Sequence, residues 1–191
     1  MGTDGDRRVV ALVLTHNAPA SLERCLEAIA AQTRPPDTVL VVDNASQPPV
    51  DARSLSNGSI RVRVVRSEVN TGPAGGWALA LREFLGGDQT LAWVLDDDMV
   101  PEVDCLERLG ERVHAEPDRA FAFPRCIDPD GSWAQFPSWC GFLLAREIVE
   151  AAGLPMEGLF WWAEDTEYLR FRIPRAGFER QNVKDARVHH L

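Results

Sequence analysis

The chain has 191 residues, which suits a single domain with a sizeable core, and its 45% hydrophobic and 26% charged content is ordinary for a globular protein. The formal net charge of −9 at pH 7 argues against nucleic acid and anionic membrane surfaces as partners. No apolar run approaches the ~20 residues of a membrane span. The four cysteines form no Cys-x-x-Cys pair, which argues against zinc and indicates reduced thiols in a cytoplasmic protein.

The first half of the chain alternates predicted strands with predicted helices. Residues 1–6 lack signal-peptide character and are expected to form a frayed tail. Apolar, β-branched runs predict strands at residues 9–14, 38–42, 60–65 and 91–95, with the third strand nearer a sheet edge. Ser21 is the expected N-cap of a helix that turns Leu22, Cys25, Leu26 and Ile29 inward. This alternation predicts an α/β fold with a mostly parallel central sheet and right-handed crossovers.

The second half of the chain has a more mixed pattern. It predicts helices at residues 103–113, 146–152 and 164–172, strands at 120–123 and 139–144, and a tight turn at 128–131. Residues 183–191 are expected to form a short tail. No repeat or low-complexity segment separates the halves, so we expect one domain, 1–191, with halves at about 8–100 and 101–191.

Three consecutive carboxylates, Asp96, Asp97 and Asp98, follow the predicted strand at residues 91–95. Carboxylates this close repel one another unless a cation or protons offset their charge. Alternate residues of an extended chain point the same way, so Asp96 and Asp98 can converge on one ligand. Oxygen ligands of this kind favour Mg²⁺, Mn²⁺ or Ca²⁺. The triplet therefore predicts a metal site, and the alternative is a solvated acidic turn.

Two further segments follow predicted strands. Residues 70–76 form a glycine-rich segment with Asn70, Gly72 and Gly75, and it opens a predicted helix. Glycines let the backbone approach a ligand and a helix N-terminus favours an anion, although a tight strand-to-helix turn explains the segment equally well. Asp43 could accept from a nucleotide base or a ribose hydroxyl, and an Asx-type turn is the alternative.

Aromatic residues precede acidic residues at positions 160–167, where Trp161 and Trp162 are followed by Glu164 and Asp165. Aromatic rings can stack on the apolar face of a sugar, and a carboxylate can accept a proton from a sugar hydroxyl. The alternative is a set of core aromatics followed by a charged first helical turn. Histidines 189 and 190 lie just before the last residue, Leu191, and are either metal ligands or solvated residues.

Taken in order, residues 13–17, 41–46, 70–76, 96–98 and 162–167 resemble the motifs of the family 2 glycosyltransferases. The resemblance covers residues 9–190 and is nearest to the bacterial rhamnosyltransferases and galactofuranosyltransferases. It implies a GT-A fold with a Rossmann-like first half that binds a nucleotide-sugar and a second half for the acceptor and catalysis. It also implies a metal-dependent inverting transfer from a UDP- or dTDP-sugar to an acceptor hydroxyl.

The resemblance also assigns roles to individual residues. It implies donor binding by Thr15, Asp43, Asn70, Gly72, Gly75, Asp96 and Asp97, and Mn²⁺ or Mg²⁺ binding by Asp96, Asp98 and His189, with His190 as the rival of His189. Asp165 matches the catalytic base, and Trp161, Trp162 and Glu164 are assigned to the acceptor.

Several partners and one other function remain open at this stage. The acceptor is expected to be a saccharide, a lipid-linked molecule or a small molecule. The protein is expected in the cytoplasm, either free or peripheral at the inner membrane face, and without a transmembrane segment. It is expected to act alone, as a homo-oligomer or with a partner subunit. The alternative function is a non-catalytic nucleotide-sugar-binding subunit that needs a partner chain.

Overall fold

A computed structural model describes residues 7–53, 55, 60–115, 121–133 and 138–191. The strands are β1 (Val9–Thr15), β2 (Thr38–Asn44), β3 (Arg61–Ser67), β4 (Leu91–Asp96), β5 (Met99–Pro101), β6 (Phe121–Ile127), β7 (Cys140–Ala145) and β8 (Gln181–His190). The α-helices are α1 (Pro19–Ala30), α2 (Gly72–Gly86), α3 (Cys105–Ala115), α4 (Arg146–Ala152) and the single turn α5 (Ile173–Arg175). A 3-10 turn (Glu157–Leu159) and a π-helical segment (Thr166–Arg172) lie between α4 and α5. The predicted frayed tail at 1–6 and position 120 of a predicted strand lie outside the described residues.

The described strands form one eight-stranded sheet in the order β3–β2–β1–β4–β7–β6–β8–β5. The first four strands of this order are parallel, as the alternation of strands and helices predicts. In the second half, β7 runs antiparallel to β4 and β6, while β8 is parallel to β6 and antiparallel to β5. The carboxyl ends of β1, β2 and β4 therefore lie along one edge, where open α/β sheets bind ligands.

The core lies on both faces of this sheet. Strands β1, β2 and β4 are almost continuously buried, which explains their apolar, β-branched sequences. Helix α1 packs Leu22, Cys25, Leu26 and Ile29 inward, as their helical spacing predicts. A row of rings joins the halves, because Trp139 stacks on Trp77 at 5.0 Å and on Tyr168 at 5.9 Å between centroids. All four cysteines are buried and unpaired.

Several boundaries differ from the sequence predictions. Ser21 is not an N-cap, because α1 begins at Pro19, whose fixed φ suits a first helical turn. The predicted glycine loop is mostly helix, since α2 begins at Gly72. The helix predicted at 164–172 has π-helical geometry from Thr166 onward and continues through Pro174 into α5. The predicted short tail is in fact the main part of β8, a ten-residue strand inside the sheet. No helix among the described residues is long and apolar enough to cross a bilayer.

The buried face of β8 should contribute to folding stability. Val188 is fully buried and lies against Gly141 of β7, whereas Lys184 on the same strand is exposed. We expect Val188→Ala to lower the free energy of unfolding by about 2 kcal/mol through lost apolar burial and a small cavity. Lys184→Ala, the control, should change it by less than about 0.5 kcal/mol. Equal urea-unfolding midpoints for the two variants would contradict the assignment of β8 to the core.

Candidate functional site

A cleft of about 490 Å³ lies at the carboxyl ends of β1 and β4. The predicted site residues that line it are Thr15, Asn70, Gly72, Asp96, Asp97, Asp98, Trp161, Glu164 and Asp165. Asp43, Gly75, Trp162 and His189 are not part of its lining. A larger cavity of about 590 Å³ lies toward the amino ends of the parallel strands and contains none of the predicted site residues.

The end of β2 is closed by hydrogen bonds within the protein. Asp43 is fully buried and accepts backbone N–H groups from Ser46 at 2.8 Å and from Val50 at 3.1 Å, and it pairs with Arg66. Burial alone would raise the pKa of Asp43, but the hydrogen bonds from Ser46, Val50 and Arg66 outweigh it and lower the pKa. Asp43 thus forms the Asx-type turn that was the alternative prediction. Its buried carboxylate would affect a bound nucleotide only indirectly, through the loop that it stabilises.

Asn44, the next residue, organises the entry to α2. Its amide nitrogen donates to Asn70 Oδ1 and to the Gly72 carbonyl, each at 3.1 Å. Its Oδ1 accepts the backbone N–H and the hydroxyl of Thr71, each at 3.0 Å. This role of Asn44 was not predicted from the sequence, although an amide side chain, which can both donate and accept at the end of a buried strand, is the signal that could have indicated it.

The first turn of α2 has no free N–H groups for an anion. Gly72 N–H donates to Asn70 Oδ1 at 2.8 Å, Ala74 N–H donates to the Phe160 carbonyl at 3.0 Å, and Gly75 N–H donates to the Thr71 carbonyl at 3.3 Å. Proline at position 73 has no N–H. The glycine segment therefore acts as a tight turn in this structure, rather than as a phosphate cradle formed by helix N–H groups.

Close packing explains two of the glycines. Gly72 has a φ of +67°, and an added Cβ would lie 2.5 Å from the Phe160 carbonyl oxygen. At Gly75 an added Cβ would lie 2.4 Å from the Thr71 side chain. Gly72 thus allows the segment at 160–165 to lie directly against the start of α2, which brings the aromatic and acidic motif to the cleft, and Gly75 makes room for Thr71.

The three carboxylates lie at the end of β4 and in the turn to β5. Burial, together with the charges of Asp98, Asp97 and Glu164, raises the pKa of Asp96 well above its usual value. Burial also raises the pKa of Asp97 to about 6, against the opposing hydrogen bond from the Thr15 hydroxyl. The repulsion expected from the sequence is therefore present, and protons or a cation would relieve it.

Asp98 lies beside a histidine of the last strand. His190 Nε2 is 3.1 Å from Asp98 Oδ2, and His190 Nδ1 is 3.2 Å from Asp128 Oδ1. Burial lowers the pKa of His190, but the two carboxylates outweigh it and the pKa is raised. His189 points elsewhere, with Nε2 3.2 Å from Glu102 Oε1. The structure thus brings His190, the rival, to the triplet and does not bring His189 there.

The triplet supplies some, but not all, of the ligands that a hard divalent cation needs. Asp98 Oδ1 is buried and has no hydrogen-bond partner within the described part of the chain. The described residues contain no group of three or more His, Cys, Asp or Glu side chains arranged to hold a metal alone. Mg²⁺ and Mn²⁺ sites often combine one or two carboxylates with substrate phosphates. The residues present therefore suit a cation that completes its coordination with a bound diphosphate.

Strained backbone presents the aromatic and acidic segment to the cleft. Phe160 and Ala163 have positive φ angles of 55° and 57°. Trp161 is 74% exposed and Trp162 is 86% exposed, so neither is the core aromatic that the alternative interpretation requires. Large exposed rings beside a polar cleft commonly mark a binding surface.

The two acidic residues of this segment differ in environment. Glu164 is only 6% exposed and accepts a long hydrogen bond, 3.4 Å, from the Trp139 indole N–H. Burial and the adjacent Asp165 charge raise the pKa of Glu164. Asp165 accepts the Thr166 N–H at 2.5 Å through Oδ1, and no described residue donates to its Oδ2. Asp165 therefore has one oxygen available to a ligand in the cleft.

Comparison with known proteins supplies a family and relatives. The profile of the family described as "Glycosyl transferase family 2" matches residues 11–173. Galactofuranosyltransferase GlfT1 from Mycobacterium tuberculosis is 38% identical over 91 residues, which are 47% of this chain and 30% of that protein. GlfT1 from Mycolicibacterium smegmatis is 37% identical over 203 residues, 88% of this chain and 66% of that protein. The chain thus spans no more than about two thirds of the length of these relatives.

Solved structures show the same fold. TarS from S. aureus superposes with a TM-score of 0.79 at 15% identity, covering 96% of this chain and 36% of that chain. The mannosyltransferase PcManGT from Pyrobaculum calidifontis, solved in complex with GDP-Man and Mn²⁺, gives a TM-score of 0.77 at 21% identity, covering 98% of this chain and 57% of that chain. These likenesses confirm the predicted α/β fold of the GT-A type.

The crowded carboxylates should make the metal-free protein more stable when Asp97 loses its charge. A folded pKa of about 6 lies above the unfolded value, so ionisation of Asp97 costs stability as pH rises from about 4 to 6. We expect Asp97→Asn, which keeps an oxygen for the Thr15 hydroxyl, to raise the free energy of unfolding in EDTA at pH 7.5.

The increase in unfolding free energy caused by Asp97→Asn should be smaller at pH 4.5, where Asp97 is mostly protonated in the folded protein. Asp104→Asn is the control, because a partner, Arg108, lowers the pKa of Asp104. It should show no gain at pH 7.5. If urea unfolding shows that Asp97→Asn changes the free energy of unfolding equally at both pH values, the ionised Asp97 does not destabilise the folded protein as assigned.

Proposed function

The chain belongs to glycosyltransferase family 2, and from this premise we propose that it transfers a sugar, with inversion, from a UDP- or dTDP-sugar to an acceptor hydroxyl. The observation that carries the proposal is the shared cleft, which contains an incompletely satisfied carboxylate triplet and a carboxylate with a free oxygen. Such a cleft has the two groups that an in-line displacement needs, one for the leaving group and one for the attacking hydroxyl.

The first half of the sheet would hold the nucleotide. Thr15, Asn70, Gly72 and Asp97 line the cleft near the ends of β1 and β4, as donor-binding residues should. Asp43 and Gly75 would support the donor indirectly, because the first fixes the turn after β2 and the second allows the tight start of α2. The N–H groups at the start of α2 are occupied, so the diphosphate would depend on the triplet rather than on the helix N-terminus.

The triplet would hold the leaving group through Mn²⁺ or Mg²⁺. Asp98 and His190 would bind the ion, and Asp96 would face the donor beside them. When bound, the cation supplies Lewis-acid neutralisation of the charge that develops on the departing diphosphate. Asp97, hydrogen-bonded to Thr15, would keep the turn at the end of β4 in place.

Asp165 would serve as the base. Its Oδ1 is anchored by the Thr166 N–H, which leaves Oδ2 to accept the proton of the acceptor hydroxyl. Glu164 is nearly buried and accepts the Trp139 indole N–H, so it would hold a sugar hydroxyl in place beside the base. Exposed rings of Trp161 and Trp162 would stack on the acceptor.

Removal of the base should lower the rate and spare donor binding. We expect Asp165→Asn to lower kcat for donor hydrolysis or transfer by about 10²–10⁴-fold, the usual contribution of a general base. Nucleoside diphosphate affinity, measured by calorimetry in the presence of Mn²⁺, should stay within about threefold. Glu164→Gln should instead raise the acceptor KM. Near-normal turnover by Asp165→Asn with intact donor binding would remove Asp165 from this role.

Nucleotide release should depend on the cation at the triplet. A panel of UDP-, dTDP- and GDP-sugars, incubated with Mn²⁺, Mg²⁺ or EDTA, should give release from one donor with metal and none with EDTA. Asp98→Asn should lose most of this release, whereas Asp88→Asn, the same charge change at an exposed remote site, should not. Tight nucleotide-sugar binding without turnover, even with acceptors supplied, would favour a non-catalytic binding subunit.

A further inference from the structure

The sheet topology places His190 between two carboxylates that come from different strands. Strand β8 lies between β6 and β5, with Ile127 opposite His189 and Met99 opposite His190. Asp128 follows the end of β6, and Asp98 precedes β5. A backbone hydrogen bond of 3.0 Å from Leu191 N–H to the Asp98 carbonyl fixes the end of β8 beside the triplet. The two imidazole nitrogens therefore face different partners.

Asp128 is itself held in a defined position. Its backbone N–H donates to the Ser132 carbonyl, and its carbonyl accepts the Gly131 N–H, each at 2.8 Å. The Ser132 hydroxyl donates to Asp128 Oδ2 at 3.4 Å, which leaves Oδ1 for His190 Nδ1 at 3.2 Å. The strong turn predicted at 128–131 thus aims a carboxylate at the histidine ring.

A histidine binds a metal through a nitrogen lone pair, and the other ring nitrogen then carries the proton. A carboxylate that accepts this proton fixes both the tautomer and the ring orientation. In the structure, Asp128 contacts Nδ1, and Nε2 is the nitrogen that faces Asp98. The buried Asp98 Oδ1 without a hydrogen-bond partner lies on the same carboxylate.

We infer that Asp128 is a positioning residue, which holds the Nδ1–H of His190 so that Nε2 is presented with Asp98 to the divalent cation. This inference rests on the proposed metal-dependent function. Asp128 then does more than stabilise the turn in which it lies. The rival interpretation is that Asp128 only stabilises the turn.

Binding of Mn²⁺ to the full chain in the presence of saturating UDP tests the inference without any need for catalysis. We expect Asp128→Ala to weaken Mn²⁺ binding by about 10–100-fold, the usual effect of losing such a partner. Asp128→Asn keeps an oxygen that can accept Nδ1–H and should recover part of that affinity. Free Mn²⁺ can be measured by electron paramagnetic resonance at pH 8.

Asp130→Ala is a matched control in the same turn. Asp130 accepts the Ser132 N–H at 2.8 Å, and no contact joins it to His190 among the described residues. This control should leave Mn²⁺ affinity within about twofold. A loss in Asp130→Ala as large as that in Asp128→Ala would assign the effect to the turn and overturn the inference.

A double-mutant cycle separates this inference from the function on which it rests. His190→Ala should weaken Mn²⁺ binding, and Asp128→Ala should then cause no further loss. In the metal-free protein, imidazole ¹⁵N shifts should show Nδ1 of His190 protonated, and Asp128→Ala should shift the ring toward the Nε2–H tautomer.

If Asp98→Asn weakens Mn²⁺ binding and Asp128→Ala leaves both the affinity and the His190 shifts unchanged, the positioning role is wrong and the metal site stands. If Asp98→Asn has no effect on Mn²⁺ binding, the proposed metal-dependent function itself fails.

Discussion

The site is organised around the mutual repulsion of three carboxylates at the carboxyl end of one buried strand. Strand β4 is apolar up to Leu95, so Asp96 is forced to emerge at the edge of the core, and the turn to β5 keeps Asp97 and Asp98 close. Burial and neighbouring charge raise the pKa values of Asp96 and Asp97. The surrounding groups partly offset this charge, since the Thr15 hydroxyl reaches Asp97 and His190 reaches Asp98. A cation with a diphosphate would complete the compensation.

Each half of the sheet contributes a different part of the cleft. Parallel strands β1, β2 and β4 bring their polar carboxyl ends to one edge, and Asn44 ties the end of β2 to the start of α2. The mixed half returns β8 to the same edge and delivers His190. Gly72 lets the segment at 160–165 approach closely enough to bring Asp165 to the cleft. Donor and acceptor chemistry therefore meet where the two halves of the sheet join.

Strong periodic signals explain why much of the fold could be predicted from the sequence. The buried strands and α1 follow from apolar runs and helical spacing, and the acidic triplet follows from its place after β4. Strand β8 was missed because its residues alternate irregularly between buried and exposed positions. The choice between His189 and His190 depends on the register of β8 against β5, which a sequence pattern does not contain. Asn44 was missed because its partners come from a loop 26 to 28 residues away.

The proposed function requires the triplet to bind a cation together with a donor diphosphate. The most direct measurement is anomalous diffraction from crystals of this protein grown with Mn²⁺ and the nucleoside diphosphate that it binds. We expect a manganese peak within bonding distance of Asp98 and His190 and in contact with diphosphate oxygens. A bound nucleotide with no manganese at the triplet, or manganese only at a site away from Asp98, would contradict it.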